Sequence, residues 1–188
     1  MKYIIMSDGK GTRWNNYLGI TKQEVIINNE RLIDRTIRMI LERSTDDIYI
    51  LSSNQNHESK YAKRIVSKYD DYFHKKYAYD YLDDSTTYLY GDTYYDEKTM
   101  DIIIKNVCEN ISFYGNERAI VAVKVNNYKL LKSVIDNSDN SLHSLYHLFD
   151  NFEEYRTFVN VGDGFVNINT PNDYINLIKD DKSLVLKR

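Results

Sequence analysis

Apolar and polar positions fall into blocks along the chain, and their period changes from block to block. The first six residues, Met1-Lys2-Tyr3-Ile4-Ile5-Met6, are a short β-branched and aromatic run that predicts a buried strand. A glycine-containing loop, Ser7 to Gly19, follows it. From Arg31 to Arg43 the apolar positions recur at helical spacing. Ile33, Ile37, Ile40 and Leu41 share one stripe, with Arg35, Arg38 and Glu42 opposite. Ile48 to Leu51 predicts a second strand, ending in Ser52-Ser53-Asn54. A polar helix is expected from His57 to Tyr69, then a charged, tyrosine-rich stretch with one short strand near Tyr77-Ala78-Tyr79.

Thr86 to Tyr90 reads as a strand by β-propensity, stopped by Gly91-Asp92. Glu97 to Asn110 reads as a helix with Met100, Ile103, Ile104 and Val107 on its apolar face. Ile111 to Tyr114 and Ala119 to Val123 are further strands, and Lys129 to Ile135 and Ser141 to Phe149 short helices. A last strand is expected at Thr157 to Val161. Pro171 then suits the first turn of a closing helix, Asn172 to Ile178. Strands alternating with helices at this spacing imply right-handed crossovers and a mainly parallel sheet covered on both faces. Ligands bind such sheets beyond the carboxyl ends of the strands, so the loops after Met6, Leu51 and Tyr90 are expected to meet in one crevice.

Composition narrows the function. The 188 residues suit one domain, and 42% apolar content with 18 Tyr, 6 Phe and 1 Trp is enough for a core. A net charge of −3 leaves no cation excess for coating nucleic acid. The lone Cys108 excludes an intrachain disulfide framework and reads as a buried small hydrophobe. No apolar run approaches the roughly 18 residues of a membrane span, and the amino terminus is too short and polar for a signal peptide. A soluble cytoplasmic protein is expected, with neither membrane nor nucleic acid as partner.

The most informative stretch is Ser7-Asp8-Gly9-Lys10-Gly11-Thr12-Arg13, directly after the first strand. Glycines let the backbone turn its N–H groups onto phosphate oxygens. Arg13 offers a planar fork of donors and Lys22 a point charge for the same anion. From spacing alone an ordinary turn with surface cations fits equally well. Two other phosphate loops are disfavoured. There is no Gly-x-x-x-x-Gly-Lys-Ser/Thr, and Trp14 stands where the dinucleotide fingerprint has its third glycine.

With Gly9, Gly11, Arg13, Lys22 and the helix from Leu32, residues 1 to about 40 resemble the opening of the sugar-phosphate and alcohol-phosphate nucleotidyltransferase-like family. Tyr90-Gly91-Asp92 resembles its mid-chain aspartate. Asn167-Ile168-Asn169-Thr170-Pro171-Asn172-Asp173 resembles its carboxy-terminal turn. The resemblance implies an α/β three-layer sandwich with a mainly parallel, Rossmann-like sheet of the nucleotide-diphospho-sugar transferase type. It would be one domain, 1–188, with a compact acceptor-binding region at about 93–165. It implies magnesium-dependent joining of a nucleoside triphosphate to a phosphorylated sugar or small alcohol, with release of pyrophosphate. Ser7, Asp8, Gly9, Gly11, Thr12, Arg13 and Lys22 would bind the nucleotide, and Arg13 and Lys22 would act on the reacting phosphates. Asp92, with Asn169 and Asn167, would hold Mg2+. Resemblance to the family's smaller members points to CTP or UTP; a homodimer stays open.

The departures from the family are specific. Ser7-Asp8 places a carboxylate near the phosphates, and Thr21 replaces the usual proline before the lysine. Asn167 and Asn169 stand where the family has carboxylates, with Asp163 a candidate substitute. Lys124, at a strand end, is a candidate contact for the acceptor phosphate but fits a solvated lysine better. Tyr94 and Tyr95 fit pocket lining or plain packing, and Ser52 to Asn54 and Thr86 are candidate base contacts. His57, His74, His143 and His147 show no ligand geometry. Two alternatives follow: a degenerate relative that binds nucleotide without turnover, and a metal-dependent glycosyltransferase. The second is disfavoured, because Asp80, Asp83 and Asp84 form no Asp-x-Asp at the end of the mid-chain strand.

Overall fold

The computed structural model describes residues 1–9, 11–70, 72–137 and 145–185. The amino-terminal strand β1 (Lys2–Met6) leads through a loop and a 3-10 turn, Lys22–Glu24, to the hairpin β2 (Ile26–Ile27) and β3 (Glu30–Arg31), and then to helix α1 (Leu32–Leu41). β4 (Asp47–Leu51), β5 (Lys63–Ile65), α2 (Tyr72–Lys76), β6 (Thr86–Tyr90), β7 (Thr93–Tyr95) and α3 (Glu97–Lys105) follow. The chain continues through β8 (Ile111–Gly115), β9 (Ile120–Val125), α4 (Tyr128–Asn137), α5 (Leu145–Asp150), β10 (Arg156–Asn160), β11 (Phe165–Asn167) and α6 (Pro171–Val185).

The main sheet has the order β10-β8-β9-β6-β1-β4-β5, and β9 alone runs antiparallel to its neighbours. This is the expected mixed, mainly parallel α/β sheet. Strand alternation sorts the core into two layers. Tyr3 and Ile5 of β1 join Ile33 and Ile37 of α1 and Met100 and Ile103 of α3 on one face. Ile4 and Met6 join Leu131 and Ile135 of α4 and Leu148 of α5 on the other. A third, smaller cluster of Trp14, Val25, Ile27, Leu32 and Ile168 ties the opening loop and hairpin to the carboxy-terminal turn. Cys108 is buried, as its type predicts.

Several local expectations are overturned. Residues 57–69 do not form a helix: after a 3-10 turn, Gln55–His57, the chain adds β5 parallel to the open edge of β4. With no apolar stripe to bury, the ladder of the edge strand wins. No strand forms at Tyr77-Ala78-Tyr79, where α2 ends and Ala78 takes a left-handed φ of 48° before another 3-10 turn. The helix expected to reach Asn110 stops at Lys105, leaving Val107 86% exposed. Lys124 explains that end. It is buried, not solvated, and its ammonium donates to the carbonyls of Ile104 at 3.1 Å and Asn106 at 2.8 Å. Leu41, at the last position of α1, is turned to solvent. The closing helix runs beyond Ile178 to Val185. Residues 141–144 of the expected Ser141–Phe149 helix, with His143, lie outside the described residues.

The pair β7 and β11 was not foreseen, yet it assembles the site. Asn167 lies opposite Thr93, and the Ile168 N–H donates to the Asp92 carbonyl at 2.8 Å. Gly91, between β6 and Asp92, has no room for a side chain. A Cβ there would stand 2.1 Å from Ser7 Oγ and 3.0 Å from the Met6 carbonyl oxygen. Gly91→Ala is therefore expected to lower the free energy of unfolding by about 1–3 kcal/mol in urea melts, by forcing β1 and β6 apart at their carboxyl ends.

Candidate active site

The loops after β1 and β6 open into one cavity of about 700 Å3, whose inner wall includes Met6, Leu51 and Tyr90. Of the residues singled out in the sequence, Asp8, Gly9, Gly11, Thr12, Arg13, Lys22, Asp92, Asn167 and Asn169 line it. Ser7 does not: it is buried, with its hydroxyl turned toward Gly91. Gly11 sits at φ 58°, a left-handed turn that glycine takes at little cost. Trp14 then buries its ring and donates from its indole nitrogen to the Ile20 carbonyl at 2.8 Å, pinning the loop.

Two contacts far apart in sequence hold the polar end together. Lys22 Nζ lies 2.6 Å from Asp92 Oδ2, and Arg13 donates to Asn169 Oδ1 at 2.9 Å. Asn167 Oδ1 accepts from the Thr93 hydroxyl at 2.6 Å. Thr170 and Asp173 cap α6 by mutual side-chain-to-backbone bonds around Pro171, which holds Asn169 in place. The carboxylate of Asp8 does not confront an incoming phosphate uncompensated. It accepts from the Ser53 N–H and hydroxyl and lies 2.8 Å from Lys75 Nζ. Burial would raise its pKa, but Lys75 and Ser53 outweigh burial and hold it below the ordinary carboxylate range.

Lys75 and Lys76, from α2, are cavity-lining residues that pattern reading missed. Their only signal was a lysine pair in a stretch with no clear period. Burial pulls the Lys76 ammonium down to about 8, against the opposing charge of Asp92. Among the described residues the cavity thus carries four cations, Arg13, Lys22, Lys75 and Lys76, against two carboxylates, in a chain of net negative charge. Such local concentration of one sign attracts a polyanion.

His57 was also missed. It is buried, 2.8 Å from Ser52 Oγ through Nδ1 and 2.8 Å from Thr21 Oγ1 through Nε2. Thr21 gives its hydroxyl hydrogen to Glu24 at 2.7 Å, so Nε2 carries the proton and Nδ1 accepts from Ser52. This neutral imidazole fixes the turn that presents Lys22. Desolvation lowers its pKa, with Glu24 and Asp8 raising it and Arg31 and Arg64 lowering it further. A group whose folded pKa is depressed stabilises above its unfolded value, near 6.5, and loses that contribution as the pH falls. Melting from about pH 7.5 to about pH 5 is expected to show a loss of stability that His57→Gln flattens. His57→Leu is expected to cost about 1–3 kcal/mol at neutral pH.

Other candidates lie elsewhere. Tyr95 is buried and donates to the Val121 carbonyl at 2.9 Å, while Tyr94 packs 4.7 Å under the Arg35 guanidinium, so both are packing residues. Asp163 accepts from Asn116 at 3.0 Å and does not line the cavity. Thr86 begins β6, at the end of the sheet away from Tyr90 and the cavity. Neither Ser52 nor Ser53 lines the cavity: Ser52 holds His57, and Ser53 donates to Asp8 of the opening loop. Among the described residues no three His, Cys, Asp or Glu side chains cluster as a metal cage, and no helix is long and apolar enough to cross a membrane.

No protein-family model and no curated protein matches the chain. Solved structures do. The CTP:phosphocholine cytidylyltransferase of Streptococcus pneumoniae superposes with a TM-score of 0.67 at 20% identity, covering 95% of this chain and 97% of that one. A putative glucose-1-phosphate thymidylyltransferase from Bacillus anthracis gives 0.73 at 10% identity, covering 95% and 94%. The inositol-1-phosphate CTP transferase of T. maritima gives 0.64 at 11%, covering 92% and 90%. The chain has the nucleotidyltransferase fold. Within that fold the cavity described above lies at the carboxyl ends of β1 and β6, beside the topological break at which ligands enter doubly wound sheets.

Proposed function

We propose that the protein is a nucleotidyltransferase that joins a nucleoside triphosphate to a small phosphorylated alcohol or sugar. A phosphate oxygen of the acceptor attacks the α-phosphorus, the bond from that phosphorus to the bridging oxygen of the β-phosphate breaks, and pyrophosphate leaves. One observation carries the reading. Arg13, Lys22 and Asp92, spread over 80 positions of sequence, face one cavity behind the opening strand, with Lys22 on Asp92 at 2.6 Å. Phosphoryl transfer between two anions asks for neutralisation and in-line placement rather than covalent help, and a cavity rich in cations supplies both.

In this reading the N–H groups of Gly9, Gly11 and Thr12 cradle the triphosphate. Arg13 orients the β- and γ-phosphates, and Lys22 meets charge developing at the α-phosphorus. Residues 93–165, with β7 to β10, would supply the acceptor side. The donor set suits Mg2+ held chiefly by substrate phosphates and water: one carboxylate, Asp92, with two asparagines beside it. Bound there, the ion would neutralise the phosphates. Both amide oxygens are already hydrogen-bonded, Asn169 to Arg13 and Asn167 to Thr93, so Asp92 is the ligand of first resort. CTP and UTP are the nucleotides to try first: two of the neighbours are named for CTP and another for UDP-glucose.

The test is pyrophosphate release with each of the four ribonucleoside triphosphates, phosphorylated acceptors and Mg2+. One nucleotide is expected to turn over, and EDTA to stop it. The closure of Asp92 by Lys22 favours a second reading, a nucleotide binder without turnover. Nucleotide-induced stabilisation indifferent to Mg2+ and to Asp92→Asn, with no pyrophosphate formed, would establish it instead.

A further inference from the structure

The ammonium of Lys22 ends a flexible side chain, so its place beside Asp92 depends on what fixes the backbone beneath it. The 3-10 turn that carries it, Lys22–Glu24, is only three residues long. A capping box sets the shape of that turn: Glu24 accepts from the Thr21 N–H at 3.0 Å and from the Thr21 hydroxyl at 2.7 Å. His57 ties the turn to the main sheet. Its Nε2 lies 2.8 Å from Thr21 Oγ1, and its Nδ1 lies 2.8 Å from Ser52 Oγ. Ser52 follows β4 directly. Its N–H donates to the Ile65 carbonyl of β5 at 3.0 Å, and its hydroxyl oxygen accepts from the Asn54 N–H at 3.1 Å.

We infer that His57 is a positioning residue for Lys22: one neutral imidazole spans from the sheet end at Ser52 to Thr21, and turnover depends on that span. This rests on the nucleotidyl-transfer reading for what Lys22 does, whereas the coupling of His57 to Lys22 is independent of it. His57 is 1% exposed and does not line the cavity, so it acts through Thr21 and not on substrate. Misplacement of a reacting group by about 1 Å can lower a rate some 10²-fold. The span works in one charge state only. A second proton, on Nδ1, removes the acceptor for Ser52, whose hydroxyl is left with the Ser7 carbonyl at 3.5 Å. The imidazolium also attracts Glu24 Oε2, 4.0 Å away, which holds Thr21. Burial opposes that proton, as do Arg31 and Arg64, while Glu24 and Asp8 favour it. The span is therefore intact at neutral pH and lost below the ordinary imidazole range.

The experiment sets His57→Gln and His57→Leu beside the wild type, at a temperature where melting shows all three folded. Glutamine can still donate to Thr21, and leucine cannot. The first readout needs no substrate: trace acetylation of Lys22 by acetic anhydride, followed by mass spectrometry. Lys22 is 8% exposed, and its labelling is expected to be at least about threefold faster in His57→Leu and near the wild-type rate in His57→Gln. The second is pyrophosphate release. At about pH 7.5, His57→Leu is expected to lose kcat roughly 10–100-fold while the KM for nucleotide changes less than about threefold, and His57→Gln to recover most of the loss. Substrate phosphates titrate at about pH 6 with every variant, so the acid limbs of kcat are compared between proteins. That of the wild type is expected at higher pH than that of His57→Gln. Wild-type labelling and kcat in folded His57→Leu would overturn the assignment, as would equal losses in both variants or superimposable acid limbs. Should Lys22 labelling change as expected while even the wild type releases no pyrophosphate, the positioning stands and the transferase reading falls.

Discussion

Arg13→Ala is expected to lower kcat/KM about 10²–10³-fold, the scale on which removal of one well-placed donor to a developing charge is felt. The loss should come without a loss of stability. Arg13 is exposed, its hydrogen bond among the described residues is to Asn169 at 2.9 Å, and surface changes of this kind usually fall within about 0.5 kcal/mol. A melting point near that of the wild type, beside turnover reduced at least a hundredfold, therefore separates a phosphate-binding role from a packing one. Arg13→Lys should recover only part of the activity, because an ammonium keeps the charge but not the planar fork. Full activity in Arg13→Ala would mean that the guanidinium serves only to hold Asn169.

Asp92→Asn is the second large effect, again about 10²–10³-fold in turnover, and its signature is metal dependence. The asparagine is nearly isosteric and can still accept from Lys22, so the change removes charge while keeping shape. The concentration of Mg2+ needed for half-maximal activity should rise along with the loss of kcat. Asp92→Ala should behave differently in melting. Lys22 is only 8% exposed, and stripping its partner leaves a nearly buried ammonium alone, at a cost of about 1–3 kcal/mol. Lys22→Met combined with Asp92→Asn should recover much of that stability and none of the activity. A double variant that regained turnover would remove both residues from the chemistry.

The strands nearest the site were readable because each is a short β-branched or aromatic run with a hard stop, and β1 and β6 fall where periodicity puts them. The opening loop was readable for the same reason: its glycines and cations follow a strand end directly. What stayed hidden depends on partners distant in sequence. β5 exists because the edge of β4 was open, and β7 and β11 because they pair with each other across some 70 residues. Neither signal is local. The departure that Asp8 makes from the family pattern is answered by Lys75, in a stretch with no clear period. His57 looked inert among polar neighbours, and only burial between Ser52 and Thr21 gives it a role. Asn167 and Asn169 were found by motif, but which partners their amide oxygens take was settled by the fold.

The most direct measurement is a crystal structure with Mg2+ and the α,β-methylene analogue of whichever triphosphate raises the melting point furthest. The triphosphate should lie in the turn from Gly9 to Arg13, its terminal phosphates on the Arg13 guanidinium, with a Mg2+ ion between it and Asp92 and Lys22 released toward the α-phosphate. A nucleotide bound elsewhere, or one seated in that turn with Lys22 still closed on Asp92 and no metal at the carboxylate, would contradict it.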